Sequence, residues 1–99
     1  MRPLGGGNTA ITLLGRTWPM PLLLGPVALQ KLAHAQGEEA TAMAAAAQGT
    51  GMVLSVMSSV LLEVVASQVL DEPTRGALWF QIYLHPDRGA TQALALRAR

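Results

Sequence analysis

The stretch MPLLLGPVALQKLAHAQGEEATAMAAAAQGTGMVLS, residues 20–55, decides the fold of this chain. It contains an apolar run, a Gly-Pro turn, an alanine-rich segment and a second apolar run, in that order. Short apolar runs bounded by turn residues are typical of buried strands, and alanine is the strongest helix former, so the order predicts a strand, a helix and a strand. The pattern starts again at Gly51 and at Leu78, and we therefore expect three βα units in succession.

Composition limits the size and the partners of the protein. The 99 residues allow one small domain, which would bury about 60 to 65% of its unfolded surface. Apolar residues make up 51% of the chain and charged residues 13%, so we expect another surface to cover part of this domain. The net charge is +1 and the basic residues are scattered, which argues against a nucleic acid partner.

The lack of cysteine bears on the location of the protein. It excludes disulfides and thiolate chemistry and is compatible with a reducing compartment, so we expect the cytoplasm. Residues 1–15 contain one arginine followed by glycines and threonines instead of an apolar region. We therefore expect no signal peptide.

The apolar segment of residues 52–70 raises an alternative, a small protein with a single membrane-spanning helix. Five polar side chains interrupt this segment, and Glu63 would place a carboxylate within the bilayer. No aromatic residues frame the segment. We therefore favour a strand followed by a helix, and expect no membrane partner.

Turn residues divide the first part of the chain. Residues 9–14 are predicted to form a short strand that ends at Gly15, and Trp18 with its neighbouring prolines marks the entry to the next run. The leucines of residues 22–24 show no alternation with polar residues, which is typical of a strand covered on both faces.

The clearest helix is predicted at residues 40–47, where alanine predominates. Glu38 and Glu39 precede it, where the helix dipole favours negative charge, and Gly49 follows it as a C-cap that accepts a positive φ.

The second half of the chain repeats the pattern. Residues 52–54 are predicted to form a strand, followed by an apolar helix capped by Ser59. Residues 71–76 form the predicted loop to a third strand at residues 78–84, and Asp87 is expected to cap the last helix.

The predicted strands are expected to be parallel neighbours, because helical crossovers connect parallel strands whereas antiparallel strands need only short turns. The C-terminal ends of parallel strands lie together, and α/β proteins bind their ligands there. We therefore expect the residues at these ends to lie close to one another: Pro26, Val27, Ala28, Ser55, Gln81 and Tyr83.

Four phrases, in order and almost without gaps, carry a resemblance to a known family. They are TLLGRTWPMPLLLGPVALQKLAH, GEEATAMAAAAQGTGMVLS, LEVVA and LWFQIYLHPDR. The chain, from Arg2 onward, resembles the N-terminal part of the FMN-dependent L-2-hydroxy-acid oxidases and dehydrogenases, which include glycolate and lactate oxidases. The resemblance implies the α/β fold of a (β/α)8 TIM barrel, of which residues 1–99 would form the first three βα units, a truncated barrel.

The same resemblance implies FMN as the cofactor and assigns residues to it. Pro26, Val27 and Ala28 match the turn whose backbone lies against the flavin ring. Ser55 matches a position whose hydroxyl meets the flavin. Gln81 matches the amide that bonds the polar edge of the ring, and an amide suits this place because it donates and accepts hydrogen bonds.

Tyr83 matches the phenol that points at the substrate, a small 2-hydroxy acid, and is the implied catalytic residue. Val56 and Met57 depart from the serine and aromatic residue of many relatives, so the lining of the substrate pocket would differ. His85 is not assigned as the base, because the family's base comes from a much later strand.

Lys31 and His34 are interpreted as structural or surface residues. His34 and Glu38 share a spacing suited to one helix face, but two ligands make a poor metal site, so we expect no metal. The part of the family that supplies the histidine base, the arginine clamp and the phosphate loops is missing from these 99 residues. We therefore expect no turnover by the isolated chain.

A truncated barrel would expose two sheet edges and apolar flanks. We therefore expect self-association, or pairing with the missing barrel units. Besides a portion of an FMN-dependent oxidase, two alternatives remain open from the sequence: a non-catalytic barrel remnant or assembly partner, and the small membrane protein.

Overall fold

The computed structural model describes residues 5–70 and 77–99. The predicted loop at residues 71–76 lies outside these ranges. In chain order the elements are β1 (Ile11–Leu13), β2 (Arg16–Trp18), β3 (Leu23–Leu24), a short 3-10 helix (Gln30–Leu32), α1 (Gly37–Ala47), β4 (Gly51–Ser55), α2 (Leu62–Leu70), β5 (Ala77–Gln81) and α3 (Arg88–Arg97).

β3, β4 and β5 form one sheet in that order, and both neighbouring pairs are parallel. The register places Leu23 opposite Gly51 and Ser55 opposite Gln81. A helix follows each of these strands. The predicted succession of three parallel βα units is therefore confirmed.

α1 and α2 cover one face of this sheet. The buried residues of the interface come from β4 and the two helices: Met52, Leu54, Ala42, Ala45, Val65 and Val69. Leu78 and Phe80 of β5 pack against them. Because side chains alternate along a strand, Ser55 and Gln81 lie on the opposite face, which the helices do not cover.

The N-terminal segment is a hairpin: the short strand predicted at residues 9–14 is confirmed as β1, whereas β2 is a second strand that the sequence does not predict. β1 and β2 pair antiparallel across the two residues Leu14 and Gly15. Both have positive φ, 52° and 74°, as the tight hairpin turns that match strand twist require. Leucine is rare at such a position, and the sequence therefore lacks the usual Asn-Gly signal of this turn.

Trp18 attaches this hairpin to the sheet. Its side chain is 2% exposed, and a Cβ added to Gly51 would lie 2.9 Å from its ring. The ring also meets Trp79 edge to face, with centroids 6.0 Å apart, and its Nε1 donates to the carbonyl of Leu13. Trp18 therefore packs against the beginning of β4, where the sequence had indicated only a turn.

Two predicted strands differ from the observed ones. Leu22 and Leu24 are 66% and 38% exposed, so the prediction of a strand covered on both faces is wrong, because β3 is an edge strand. The third strand was predicted to reach residue 84 but ends at Gln81. Gln81 pairs with Ser55, the last residue of β4, and among the described residues no strand lies beside the residues that follow Gln81.

The predicted caps of two helices are confirmed. Gly49 has φ 65° and follows α1; its N–H donates to Ala46, and the N–H of Thr50 donates to Ala45, as in a Schellman motif. Asp87 precedes α3, and its Oδ1 accepts from the N–H of Gly89 at 2.8 Å.

The segment of residues 52–70 is divided between β4 and α2. The alternative of one continuous membrane-spanning helix is therefore wrong. Within the two described ranges, every helix is too short or too polar to traverse a bilayer.

Candidate functional site

Three loops follow the parallel strands at the same end of the sheet: the first loop (residues 25–29), the second loop (residues 56–61) and the third loop (residues 82–87). The N–H of Leu29 in the first loop donates to the carbonyl of Met57 in the second, at 3.0 Å. The N–H of Val56 donates to the carbonyl of Gln81 at the end of β5, also at 3.0 Å. The structure thus places Ser55 and Gln81 side by side and bonds the loop that contains residues 26–28 to the loop that follows Ser55.

Ser55 is the last residue of β4 and is buried. Its Oγ accepts a hydrogen bond from the N–H of Met57 at 3.1 Å, which shapes the start of the second loop. A hydroxyl has one hydrogen to donate besides its acceptor capacity. Within the described ranges, 5–70 and 77–99, the structure gives the hydroxyl hydrogen of Ser55 no acceptor.

Gln81 lies directly beside Ser55 in the parallel register and is half-buried. Across residues 5–70 and 77–99 the structure gives its side-chain amide no hydrogen-bond partner. Tyr83 lies two residues beyond the end of β5, and its side chain is 64% exposed. An amide and a phenol thus follow Ser55 along one end of the sheet.

The first loop contains Pro26, Val27 and Ala28, all of them exposed. The carbonyl of Val27 accepts from Nε2 of Gln30 at 3.4 Å. The next residue, Leu29, has φ 51° and ψ 46°, in the left-handed region that non-glycine residues seldom adopt. The path of the backbone past Ala28 is therefore set by interactions outside the loop.

Glu38, whose position at a helix start predicts only an interaction with the helix dipole, is fully buried and joins the segment after the first loop to the second loop. Its Oε1 accepts from the N–H of Gln30 at 3.1 Å and from the N–H of Ser59 at 2.8 Å. Its Oε2 accepts from the hydroxyl of Ser59 at 2.7 Å. Ser59 Oγ accepts in turn from the N–H of Lys31 at 3.1 Å.

These bonds explain why the predicted role of Ser59 as a helix cap is wrong. α2 begins at Leu62, and the carbonyl of Leu61 accepts the first bonds of the helix, from Val64 and Val65. Ser59 lies in the second loop and is bound to Glu38. The hydroxyl that would otherwise cap α2 donates instead to Glu38 of α1.

The electrostatics of Glu38 follow from these donors. Burial by itself raises the pKa of the carboxyl, but the hydrogen bonds from the Ser59 backbone, the Ser59 hydroxyl and the Gln30 backbone lower the pKa from 4.5 to about 2. Glu38 is therefore ionised near neutral pH and acts only as an acceptor.

One signal in the sequence points to a buried Glu38. Ala42 and Ala45 lie four and seven residues after it, on the same helical face, and both are buried. Glu39 lies outside this row and is half-buried. A carboxylate on the apolar face of a helix needs donors, and Ser59 and the backbone N–H of Gln30 supply them.

Both histidines of the chain make local contacts. His34 Nδ1 accepts from the N–H of Gln36, and His85 Nδ1 accepts from the N–H of Asp87. In the ranges that the structure describes, no three histidine, aspartate or glutamate side chains meet as a metal site would require.

A groove of about 880 Å³ opens at the uncovered edge of β3. Its walls come from the first loop, the 3-10 helix and α1, and include Leu24, Val27, Ala28, Leu32, Ala40 and Ala44. Ser55, Gln81 and Tyr83 are not among its lining residues. The groove is therefore an apolar surface that shares Val27 and Ala28 with the first loop but does not extend to the polar groups at the ends of β4 and β5.

The fold is that of an α/β protein with a parallel sheet, and such proteins bind their ligands at the strand ends, where this chain carries a hydroxyl, a phenol and an amide that has no partner among the described residues. Comparison with known proteins refines this class. The sequence model of the FMN-dependent dehydrogenases matches residues 1–99, and the chain belongs to that family. The resemblance inferred from the sequence, and FMN as the cofactor of the family, are thereby confirmed.

Individual relatives agree with this membership. The chain is 52% identical over 91 residues to an L-lactate oxidase of Nostoc sp., an alignment covering 92% of this chain and 25% of that protein. It is 42% identical over 91 residues to glycolate oxidase 3 of Oryza sativa subsp. indica, covering 92% and 23% respectively. The chain thus spans about a quarter of the length of the curated relatives that it matches.

Solved structures agree as well. The chain superposes with a TM-score of 0.86 and 35% identity on a mandelate oxidase mutant with the monooxide FMN adduct, covering 99% of this chain and 29% of that one. A mandelate oxidase mutant with (S)-mandelic acid gives the same score and identity, with 99% and 28% covered.

Proposed function

We propose that this chain is the flavin-binding N-terminal part, residues 1–99, of an FMN-dependent enzyme that oxidises an L-2-hydroxy acid to the 2-oxo acid. The observation that carries the proposal is the juxtaposition of Ser55 and Gln81, which lie opposite each other at the C-terminal ends of β4 and β5 on the face that α1 and α2 leave open. Membership of the family supports it.

The architecture supports the barrel. Three parallel strands with their following helices are the repeating unit of a (β/α)8 barrel, and both layers occur here in the expected order. In such a barrel the face that carries Ser55 and Gln81 would be the interior, and the three strand-end loops would lie at the end where ligands bind. We propose that the chain forms the first three units.

The residues present fit FMN. The exposed Ala28 presents a small side chain beside its backbone, which leaves room for a flat ring. Ser55 has a hydroxyl hydrogen to donate, and the Gln81 amide has a donor and an acceptor without partners in the described part of the chain. The flavin, which supplies the oxidising power when bound, would therefore be held by five residues: Pro26, Val27, Ala28, Ser55 and Gln81.

Tyr83 is proposed to contact the substrate. Its phenol lies on the third loop, two residues after Gln81, and is mostly exposed. A phenol donates a hydrogen bond, and at this place it would orient the hydroxyl or carboxylate of a 2-hydroxy acid.

The isolated chain is proposed to be inactive. Oxidation of a 2-hydroxy acid requires a group that removes a proton, and the two histidines of the chain have Nδ1 engaged in local turns. The polar groups that the structure gathers at the strand ends form only one side of a site. The remaining barrel units, or a second copy of the chain, are the proposed partners, and the cytoplasm is the proposed location.

A chimera tests the proposal. The matched N-terminal quarter of the Nostoc L-lactate oxidase is replaced by this chain, and the chimera is purified and assayed for bound FMN and for lactate oxidation. We expect the chimera to bind flavin and to oxidise lactate. We expect the isolated chain to oxidise none of lactate, glycolate and mandelate. In the chimera, Gln81→Leu should raise the FMN dissociation constant about thirtyfold, because a donated and an accepted hydrogen bond are lost at about 1 kcal/mol each.

Gln92→Leu is the matched control, since it makes the same chemical change on an exposed position of α3. It should leave the affinity for FMN unchanged. A folded chimera without flavin, or a Gln81→Leu chimera that binds FMN as tightly as its parent, would contradict the proposed function.

A further inference from the structure

The first and second loops are held together from behind by one side chain. Glu38 accepts from Gln30, which follows the first loop, and from the backbone and hydroxyl of Ser59 in the second loop. The carboxylate is fully buried, so these donors replace the water that it would otherwise bind. Such a buried acceptor fixes the distance between the segments that share it.

The first loop needs such a support. Leu29 has a left-handed backbone conformation, which costs about 1 kcal/mol for a residue with a Cβ. Its N–H donates to the carbonyl of Met57, and the next residue, Gln30, donates to Glu38. Leu29 thus lies between Ala28 and a residue that Glu38 holds, and its conformation depends on contacts with the second loop.

The bonds continue to the other predicted flavin residues. Met57, whose carbonyl holds Leu29, donates its own N–H to Ser55 Oγ. Val56 donates to the carbonyl of Gln81. A displacement of the second loop would therefore change the placement of Ala28, Ser55 and Gln81 together.

We propose that Glu38 is a positioning residue for the flavin: without contact to the ligand, its carboxylate sets the first loop against the second and thereby places the backbone at Ala28. This inference rests on the proposed function. It assigns to the α1 carboxylate a role that neither its position at a helix start nor the family match supplies.

The test uses the 99-residue chain with Glu38→Gln and, as the matched control, Glu39→Gln, the same change at the adjacent half-buried position. Amide hydrogen exchange is followed at Leu29, which reports docking of the two loops, and at Gly49, which reports the opposite end of α1. FMN affinity is measured from the quenching of flavin fluorescence. Ser59→Ala provides a milder variant that keeps the Ser59 N–H bond to Glu38.

In Glu38→Gln we expect exchange at Leu29 to be at least about tenfold faster with exchange at Gly49 unchanged, and the FMN dissociation constant to rise about tenfold, since affinity falls with the population of the competent arrangement. Ser59→Ala should show smaller changes in the same direction, and Glu39→Gln none. If the Glu38→Gln chain unfolds, amide exchange at Gly49 becomes faster as well. The milder Ser59→Ala variant then tests the inference by its exchange at Leu29 and its FMN affinity.

Faster exchange at Leu29 with unchanged FMN affinity would overturn the inference, because the carboxylate would then only stabilise the fold. Unchanged exchange at Leu29 would overturn it as well. If the wild-type chain binds no FMN in isolation while the chimera does, the three substitutions are compared by FMN affinity in the chimera. If neither the chain nor the chimera binds FMN, the proposed function and this inference are both wrong.

Discussion

The burial and the charge of Glu38 depend on hydrogen-bond partners that are distant in sequence. Its donors are Gln30, eight residues before it, and Ser59, 21 residues after it. Burial of a carboxylate is unfavourable unless donors compensate for the lost water, and here three hydrogen bonds do so at the positive end of α1. Its charge therefore contributes to folding as well as to the placement of the loops.

The stability of the chain is expected to depend on pH through this residue. The pKa of Glu38 is about 2 in the folded chain, against 4.5 for an unperturbed glutamate, so its contribution is fully present above about pH 4.5 and is lost as the pH falls toward 2. The interval corresponds to about 3 kcal/mol of unfolding free energy. Urea unfolding at a series of pH values measures it.

Glu38→Gln should flatten this dependence. Glu63 is the control: hydrogen bonds from Arg97 also lower the pKa of its carboxyl, but the pair is exposed and is screened by salt. Glu63→Gln at high salt should therefore retain most of the pH dependence. A wild-type chain with constant stability from pH 5 to about 2.5 would contradict the assignment.

At the scale of elements, local signals were sufficient for some features and not for others. Gly49 and Asp87 were predicted as caps, because a cap depends on residues within one turn of the helix. The hairpin could not be predicted, since Leu14 lacks the turn signal and the pairing of β2 depends on the packing of Trp18 against a strand 33 residues later, at Gly51. Ser59 resembled a cap because its partner, Glu38, is remote.

The candidate site, like the elements, was predictable only where the signal is local or follows from the alignment of parallel strands. Ser55 and Gln81 were expected at adjacent strand ends because parallel strands align their ends, and the register confirms this placement, while their roles toward FMN stay predictions. The burial of Glu38 does not follow from the sequence alone, since a glutamate at a helix start also has a purely local explanation in the helix dipole.

The packing of the hairpin on β4 is expected to depend on the absence of a side chain at Gly51. A Cβ at Gly51 would lie 2.9 Å from the ring of Trp18 and 3.0 Å from Leu23 Cδ2, so Gly51→Ala requires the hairpin to move. We expect a loss of about 1–3 kcal/mol in unfolding free energy, as for other overpacked sites. Thermal unfolding followed by tryptophan fluorescence measures it.

Gly7→Ala is the control for this change, since no atom lies within 4 Å of the Cβ it would add. It should alter the stability by no more than about 0.5 kcal/mol. If Gly51→Ala were as stable as the wild type, Trp18 would not be the contact that fixes the hairpin on β4.

At the scale of the whole molecule, both edges of the sheet have no covering element in the described part of the chain, and one face is covered only where Trp18 of the hairpin packs against Trp79 and Gly51. β3 and β5 are the outer strands of the sheet, and a strand edge presents unpaired backbone groups. The groove beside β3 adds apolar surface, and α3 buries none of its residues. In a complete barrel, further units would cover these surfaces.

The isolated chain is therefore expected to self-associate, and sedimentation velocity over a range of concentrations measures this. Leu24→Lys should weaken the association, because Leu24 belongs to β3 and lines the groove, and a lysine on an edge strand opposes pairing. Leu14→Lys is the matched control, as it adds the same charge at the exposed tip of the hairpin. Equal weakening by both substitutions would mean that net charge, rather than the edge at β3, governs association. A wild-type chain that stays monomeric at all concentrations would show that the open edge is tolerated in water.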